Sequence, residues 1–526
     1  MEEVKVLITT SGLGSRLGNL TDFTNKSLVR VGDKPAISHI IDSYPTDVGF
    51  VITLGHYGNH VKDYLDLAYA NRRIEFVTVD KYQGSGSSLA YSISCAKDKL
   101  NCPFIFHACD TIINSDIPIH ASQNWCLGAK KEFNSQYRTL NVNSENDVIK
   151  INEKGAIGFD YSYAGVCKIL DYTLFWDSIE KFDFNNTSLT DCHVINIMMD
   201  FTYFKFIKAE KWFDIGNTTD LKKTRGYFKS KYKVLDKENE SIFFINNSVI
   251  KFFSNETVLE NRYKRSKILK GIVPTVLEKK KNFYKYDFVA GDNFADTVNT
   301  KSFNSLLLWS KENLWKRKNC DSKKFKEMCR KFYITKTKNR ISKYLMQNCI
   351  KEDKTAIING EKVDDVLSLL NRAENVLLRN LLPVSFHGDY ILDNIIKCKE
   401  GFSLIDWRQD FGGDIETGDL YYDIAKLNHN LVFNHSIVNG NNYKIEIKKD
   451  RSVIKCDILR SDILSKCQKS LENFIIDENL DLEKVRILTA IIWINMAPLH
   501  MYPLNDFLFY FGKYNLHYYL KKQALK

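Results

Sequence analysis

The stretch "VKVLITTSGLGSRLGNLTDFTNKSLV" (residues 4–29) decides how the first half of the chain is read. Residues 4–10 are a run of β-branched and apolar side chains and predict a strand. The strand runs into a turn that carries Ser11, Gly12, Gly14, Ser15 and Arg16, and a lone lysine follows at Lys26. Glycines between a strand and a helix leave backbone N–H groups unhindered, and a helix start adds positive potential. Arg16 can fork onto phosphate oxygens. The turn therefore suits phosphate, although a tight strand-to-helix connection needs the same residues. No Gly-Lys-Ser/Thr closes it, so it is not a P-loop, and the third glycine of a dinucleotide fingerprint is missing.

Outward from this stretch, β-rich runs alternate with helical patterns. Residues 50–54, 74–79 and 104–108 read as strands, and 36–44, 60–70 and 87–97 as helices. The alternation predicts a doubly wound α/β domain with a mostly parallel sheet. Ligands of such sheets sit beyond the carboxyl ends of the strands, where both residues 11–17 and Asp110 fall.

The chain has 526 residues, which favours two to four domains. Hydrophobic residues make up 44% and charged residues 26%, a soluble globular balance. The start lacks a basic region followed by an apolar core, and no apolar stretch is long enough to cross a bilayer, so a cytoplasmic location is expected. The 12 cysteines are scattered without a CxxC, which favours buried thiols. The net charge of +11 is spread over several segments, and its densest runs, 279–281 and 316–318, are short. These read as solvated faces, and nucleic-acid binding is not expected.

The texture changes at "YFKSKYKVLDKENES" (227–241), which is charged and aperiodic. "SIFFINNSVIKFF" (241–253) then reads as a hairpin turning at Asn246-Asn247, and a helix-rich region follows. A domain boundary is placed at about residue 235, giving domains 1–235 and 236–526.

Several ordered motifs in the first half resemble the sugar-phosphate nucleotidyltransferase family. Gly12, Gly14, Ser15, Arg16, Leu17 and Lys26 match its G-x-G-[ST]-R-L…Lys signature, and Lys34-Pro35 stands before a helix as in the family. Asn25 replaces the usual proline. "IFHACDTII" (105–113) and "KWFDIGNTTDLKKTRGYF" (211–228) resemble the segments of the two metal-binding aspartates, here Asp110 and Asp214. "KINEKGA" (150–156) resembles the Glu-Lys-Pro segment, which assigns Glu153 and Lys154 to the acceptor phosphate, with glycine in place of proline. "YQGSGSSLAYSI" (82–93) resembles the base-reading segment, with Gln83, Gly86 and Ser88 as nucleotide contacts beside Ser11, Gly12, Gly14 and Ser15. Phosphocholine cytidylyltransferases share this fold and the same loop, so the nucleoside and the acceptor stay open. The resemblance implies that Arg16 and Lys26 hold an NTP and that Mg²⁺ or Mn²⁺ bridges the reacting phosphates. The nucleophile is already an anion and needs no general base.

"VSFHGDYILDNIIKCKEGFSLIDWRQD" (384–410) resembles the catalytic segment of the aminoglycoside phosphotransferase and choline kinase family, which has a two-lobed protein-kinase-like fold. The resemblance makes Asp389 the catalytic base, Asn394 and Asp406 the ligands of Mg²⁺, and His387 a loop-ordering residue. An alcohol, unlike a phosphate, must lose its proton to attack. "NNSVIKFFSNETVLENRYKRSKILKGIVPTVL" (246–277) resembles the small lobe, with Lys251 on the ATP phosphates and Glu260 as its ion-pair partner. "GDLYYDIAKL" (418–427) resembles a structural segment holding Asp419 and Asp423, and "RQDFGGDIET" is longer than the family's connection there. The aromatic tail 491–520 is either helix core or a cage for a quaternary ammonium group.

Together the two resemblances imply a bifunctional enzyme. A kinase phosphorylates a small sugar, polyol or similar alcohol, and a nucleotidyltransferase activates the product, as for a surface polysaccharide. The alternatives are a choline kinase joined to a cytidylyltransferase, or a nucleotide-sensing regulator with one inactive module.

Overall fold

The computed structural model describes residues 3–131, 135–186, 188–232, 237 and 239–524. The expected boundary at residue 235 lies outside them. The chain divides into two compact units. One is Met1–Glu256 with Leu277–Phe288, and the other is Thr257–Val276 with Val289–Lys526.

The first unit begins β1 (Lys5–Thr9), α1 (Ala36–Asp42), β2 (Gly49–Leu54), α2 (Gly58–Ala68), β3 (Ile74–Thr78), α3 (Leu89–Ser94) and β4 (Phe104–Ala108). These match the expected elements closely, except that the 87–97 helix is shorter. All four strands pair in parallel, in the spatial order β4–β1–β2–β3. Val6, Leu7, Ile8, Val51 and Ile52 are fully buried, as a sheet covered on both faces requires.

Beyond β4 the sheet departs from the parallel expectation. β5 (Thr111–Ile113), β6 (Asn124–Ala129), β7 (Thr139–Val142), β8 (Val148–Asn152) and β9 (Tyr161–Ile169) follow with no crossover helix between them. α4 (Tyr172–Ile179), α5 (Asp191–Met198), β10 (Phe204–Lys208), β11 (Trp212–Asp214) and α6 (Thr218–Tyr227) complete this region. β9 runs antiparallel to β4, β6 and β7, so the nine-stranded sheet β8–β7–β9–β4–β1–β2–β3, with β6 on β9 and β10 on β6, is mixed. Short connections without helices can only return a strand antiparallel to its neighbour.

The glycine turn also departs from expectation. It leads not into an α-helix but into a 3₁₀ segment, Ser15–Thr21, broken at Gly18 (φ 59°, ψ −138°). The aligned dipoles of an α-helix start are absent there.

The expected hairpin forms as β12 (Glu240–Ile245) and β13 (Ser248–Phe253). Asn246 and Asn247 both have positive φ, the two-residue turn that suits strand twist. With α7 (Glu256–Ile268), β14 (Val276–Lys279) and β15 (Phe283–Asp287) following, the strands align as β12–β13–β15–β14. This sheet covers α2: the Tyr64 and Phe243 rings lie 5.3 Å apart and those of His60 and Phe252 5.1 Å apart. Lys280 Nζ donates to Asp66 at 3.1 Å. The strands expected to open the second half are therefore packed within the first unit.

The second unit is mainly helical, including α8 (Lys336–Gln347), α9 (Leu420–Val432), α10 (Leu482–Met496) and α11 (Leu504–Ala524). The aromatic tail is core: Trp493 is buried against Phe511 (4.7 Å), which stacks on Phe507 (5.1 Å). No described helix is long and apolar enough to cross a membrane. Asp419 and Lys484 form an ion pair (3.1 Å) at 0% exposure for both side chains. The Tyr333 hydroxyl (3.0 Å) and the Leu382 N–H (3.0 Å) complete the carboxylate's shell.

Lys484→Met leaves that carboxylate buried without its cation. The expected loss is about 3–5 kcal/mol of stability, read by urea unfolding. An unchanged midpoint would show the pair to be dispensable.

Candidate active sites

The first site grows from one register. β1 and β4 are adjacent and parallel with Thr9 opposite Ala108, so the chain leaves both strands at the same edge. His107, fully buried at the end of β4, accepts a hydrogen bond from Tyr44 at Nδ1 (2.8 Å) and donates from Nε2 to the Thr111 carbonyl (3.1 Å). Burial holds it neutral, with its pKa lowered to about 4. That bond spans the turn presenting Asp110. β5 then pairs with β11, placing Thr111 opposite Asp214, and the Ile215 N–H donates to the Asp110 carbonyl at 3.0 Å. Two carboxylates a hundred residues apart in sequence thus share one ladder.

Gly216 lies among the charged groups. A Cβ there would meet Asp214 Oδ1 at 3.1 Å, Arg16 Nη2 at 3.3 Å and Asp110 Oδ2 at 3.3 Å. Lys26 Nζ donates to Asp110 Oδ2 at 3.3 Å, and Arg16 Nη2 stands 4.0 Å from the same oxygen. Gly14, with φ 71°, makes room for the lysine, since a Cβ there would lie 2.8 Å from Lys26 Cβ. Burial opposes the charge on Asp110, but Lys26 and Arg16 hold its carboxyl below the ordinary range. Asp214 goes the other way, raised by burial and by the charge of Asp110. Cys109, buried beside Lys26, has its thiol pushed up to about 11 by burial.

Asn25 explains how Lys26 is held. Its side chain donates to the Thr10 carbonyl (2.8 Å) and the His56 carbonyl (2.6 Å), and accepts from the Ser27 N–H (2.9 Å) and hydroxyl (2.8 Å). Where a proline would stiffen the loop by ring closure, four hydrogen bonds from a fully buried amide do so here.

The other expected contacts divide. Gly12 has open space around its Cα, and Ser15 and Arg16 are exposed. Ser11 is buried with its hydroxyl on Ser92 (2.8 Å). Ser88 caps α3 through the Tyr91 N–H (3.0 Å); in the loop before it Gln83 is exposed and Gly86 is buried. Glu153 pairs with Arg138 (3.0 Å) and His193 (3.2 Å), which makes it a clamp on Arg138. Desolvation and the charges of Arg16 and Arg138 push the Lys154 ammonium below its ordinary value. Arg16 and Arg138 thus lie near enough to Lys154 for their charges to act on it.

Sequence reading missed Arg138, Lys131 and Tyr137. Lys131 Nζ lies 3.5 Å from the Trp212 ring centroid, and Asp214 and Asp220 favour its charge against burial. The Tyr137 hydroxyl donates to Asp220 at 3.4 Å. No short motif marks these three residues.

The second site is built on Asp423 of α9. Its carboxylate accepts the N–H of His387 (2.8 Å), the N–H of Gly388 (2.7 Å) and Trp315 Nε1–H (3.3 Å), and burial raises its pKa to about 6. Gly388 has φ 87°, and a Cβ there would lie 2.7 Å from Arg408 Cβ. His387 donates from Nε2 to the Ile405 carbonyl (3.0 Å), and burial keeps it neutral with a pKa of about 4. It orders the loop, as expected.

Asp389 is fixed from two sides. Lys426 Nζ lies 2.7 Å from Oδ1, and Asn394 Nδ2 donates to its carbonyl (2.9 Å) and to Oδ2 (3.3 Å). Against burial, Lys426 holds the Asp389 carboxyl well below the usual range. The Ile405 N–H donates to the Asn394 carbonyl (2.9 Å), so Asn394 and Asp406 come from neighbouring backbone. Asp406 has φ 59°, a left-handed conformation that aspartate tolerates better than most residues, and lies 4.0 Å from Arg262 Nη1. Lys426 was missed, although it follows Asp423 by three residues on one helix face. Lys251, on β13, belongs to the first unit and Glu260, on α7, to the second, so their pairing stays an expectation. Glu260 lies 3.7 Å from Lys264.

Among the described residues no three His, Cys, Asp or Glu side chains cluster as a metal cage. Asp110 with Asp214, and Asn394 with Asp406, still fit a hard cation that takes one or two protein oxygens and fills its shell from phosphates and water. The like-charge pressure of Asp110 on Asp214 is what such a cation would relieve.

These features describe a mixed α/β unit with a strand-end carboxylate pair flanked by cations, and a helical unit with a lysine-held aspartate loop. No family model matches the chain. Over 150 residues the chain is 27% identical to the bifunctional protein GlmU of Methanococcus vannielii, covering 28% of this chain and 34% of that protein. The chain thus spans about a third of the length of the curated relative it matches. Among solved structures it is similar to CTP:phosphocholine cytidylyltransferase from Streptococcus pneumoniae (21% identity, TM-score 0.37, 43% of this chain and 100% of that one). It is also similar to the inositol-1-phosphate CTP transferase from T. maritima (16% identity, TM-score 0.37, 44% and 98%). Likeness at this level selects neither a base nor an acceptor.

Asn25→Ala strands two carbonyls and two donors around Lys26. It is expected to cost on the order of 2–4 kcal/mol in thermal or urea unfolding. A loss below about 0.5 kcal/mol, the usual size for an uninvolved surface position, would remove Asn25 from the loop's support.

Proposed function

We propose that the chain is a bifunctional transferase, with nucleotidyl transfer assigned to residues 1–235 and small-molecule phosphorylation to 236–526. The observation that carries the first assignment is Asp110 and Asp214 on one ladder, with Lys26 and Arg16 at the Asp110 carboxylate. The acceptor's phosphate oxygen attacks the α-phosphorus of an NTP. The new O–P bond forms as the bond to the β-phosphate oxygen breaks, and pyrophosphate leaves. Lys26 and Arg16 offset charge on the triphosphate, and Lys154 with Arg138 receives the acceptor phosphate. A divalent cation, Mg²⁺ or Mn²⁺, would be held by Asp110 and Asp214 and would neutralise charge on the reacting phosphates. A sugar or polyol phosphate is the acceptor class, and a nucleotide-activated donor for surface polysaccharide is the product class.

In the second half, Asp389 accepts a hydrogen bond from the alcohol and takes its proton as the oxygen attacks the γ-phosphorus of ATP; the new O–P bond forms as the bond to the β–γ bridging oxygen breaks, and ADP leaves. Lys426 keeps the carboxylate ionised, so Asp389 orients the alcohol early and accepts its proton late. Lys251 would meet the ATP phosphates, and Asn394 with Asp406 would hold the second cation. The packing of Trp493 against Phe511 supports the core reading of these two rings over a cage for the choline alternative.

Lys26→Ala and Asp110→Ala are each expected to lower NTP-dependent pyrophosphate release by about a hundredfold or more, and excess EDTA to stop both activities. Asp389→Asn is expected to cost roughly 10²–10⁴ in phosphorylation while sparing transfer from supplied phosphate ester, and Asp214→Ala to do the reverse. Loss of both activities in Asp389→Asn, with an unchanged circular dichroism spectrum, would sink the two-site reading.

The pH profile tests the role of Lys426. In the wild type, Asp389 stays ionised through the ordinary carboxylate range, so the phosphorylation rate has no acid limb from this group above about pH 4. Lys426→Met removes the main opposition to burial, so the Asp389 pKa rises and an acid limb moves up toward the measurable range. An unshifted kcat/KM profile would separate Lys426 from the chemistry.

A further inference from the structure

A cavity of about 250 Å³ is lined by Lys331, Phe332, Lys336, Arg408, Asp410 and the glycine pair 412–413. Its lining is mainly cationic. Lys336, at the start of α8, has its ammonium 4.0 Å from the Phe332 ring centroid and pairs with no carboxylate among the described residues. Arg340, one turn further along α8, is likewise without a carboxylate partner there. Arg408 uses Nε on the Asp410 carbonyl (3.0 Å) and has its guanidinium 5.1 Å from the Phe332 ring centroid. The Asp410 side chain accepts the Gly413 N–H (3.1 Å), which commits one of its oxygens to the loop.

Arg408 also ties this cavity to the reacting group. Its backbone N–H donates to the His387 carbonyl (3.0 Å), two residues before Asp389, and its charge acts on Asp389. Burial, with the charges of Arg408, Arg340 and Lys426, drives the Lys336 ammonium well below its ordinary value, and Asp410 compensates in part. Lys336, Arg340 and Arg408 are half-buried cations with one partly committed carboxylate, Asp410, among them, so the group lacks an anion. A cationic acceptor such as choline or an aminoglycoside would be repelled from this face.

We propose that the alcohol phosphorylated at Asp389 carries an acidic group, carboxylate or phosphate, which seats in this cavity between Lys336 and Arg408. The inference rests on the kinase reading of the same site and names its substrate class. Phe332 and glycines 412–413 complete the lining, and a volume of about 250 Å³ suits a compact oxyanion with a short carbon chain. The longer connection "RQDFGGDIET" supplies this wall: Phe411 is fully buried against Phe332 (ring centroids 4.2 Å apart), and Gly412 passes so close to Met328 that a Cβ would lie 2.9 Å from its carbonyl oxygen.

The test offers the full-length protein ATP, Mg²⁺ and matched alcohols: glycerol, D-glycerate, glycerol 3-phosphate and choline, and glucose, gluconate and glucose 6-phosphate. ADP release is followed. The expected result is a kcat/KM at least about tenfold higher for acidic members. Lys336→Gln is expected to raise KM for them about tenfold to a hundredfold, the scale of a charge-assisted hydrogen bond, with kcat within about threefold and no change for neutral members. Arg340→Gln is the second variant should Lys336→Gln fail to fold. The better of the carboxylate and phosphate members identifies the anion. Preference for a neutral alcohol or choline, or an unchanged KM in both folded variants, overturns the acidic-substrate inference and leaves the kinase reading standing. A flat response to every alcohol, matched by Asp389→Asn, overturns the kinase reading and this inference with it.

Discussion

A carboxylate taken out of water stays charged only where a cation or N–H donors compensate it, and this chain supplies the cations by drawing together segments far apart in sequence. Lys26 reaches Asp110, Lys426 reaches Asp389, and Lys484 reaches Asp419. The first two pairs stand at candidate sites and the third is sealed in the core. The difference lies in what surrounds them. Asp419 has its remaining hydrogen-bonding capacity taken by Tyr333 and Leu382. Asp110 has Arg16, more than half exposed, at the edge of its range. An ion pair with spare capacity on an accessible side is arranged to receive charge, whereas one with none is arranged to hold the fold.

Around the first pair, the backbone does most of the positioning. The ladder between β5 and β11 fixes both carboxylates, and Gly216 lets the main chain run between them and Arg16. Asn25 fastens the loop before Lys26 to the ends of two neighbouring segments. Around the second pair, the single Asp423 carboxylate gathers two consecutive N–H groups and so shapes the turn that carries Asp389. In both cases a buried polar side chain, Asn25 or Asp423, shapes the loop that carries the charged residue of the candidate site.

Local pattern sufficed for what local physics controls. The parallel half of the sheet follows from strand and helix periods, and the Asn246-Asn247 turn from two residues that accept positive φ. The glycine loop was placed at the right strand end, but the helix expected after it was not there, because Gly18 adopts a conformation that no helix accommodates. The antiparallel half of the sheet escaped because strand direction depends on pairing partners, which composition does not encode. The packing of the 240–253 hairpin on α2 escaped for a related reason. Its apolar face is evident in "SIFFINNSVIKFF", but nothing in those letters names the helix it covers. Lys426 had a signal in its helical spacing from Asp423. Lys131, Tyr137 and Arg138 had none, because they reach their site only through the fold.

Cys109 adjoins Asp110 in sequence and Lys26 in space, where a cation ordinarily makes a thiol reactive. Here burial outweighs the lysine and keeps the sulfur protonated. The thiolate that alkylating agents and peroxides attack is therefore scarce at neutral pH, and the residue next to Asp110 is chemically quiet. The first site should keep its chemistry through oxidative episodes that would silence an enzyme with an exposed, cation-activated cysteine at the same place.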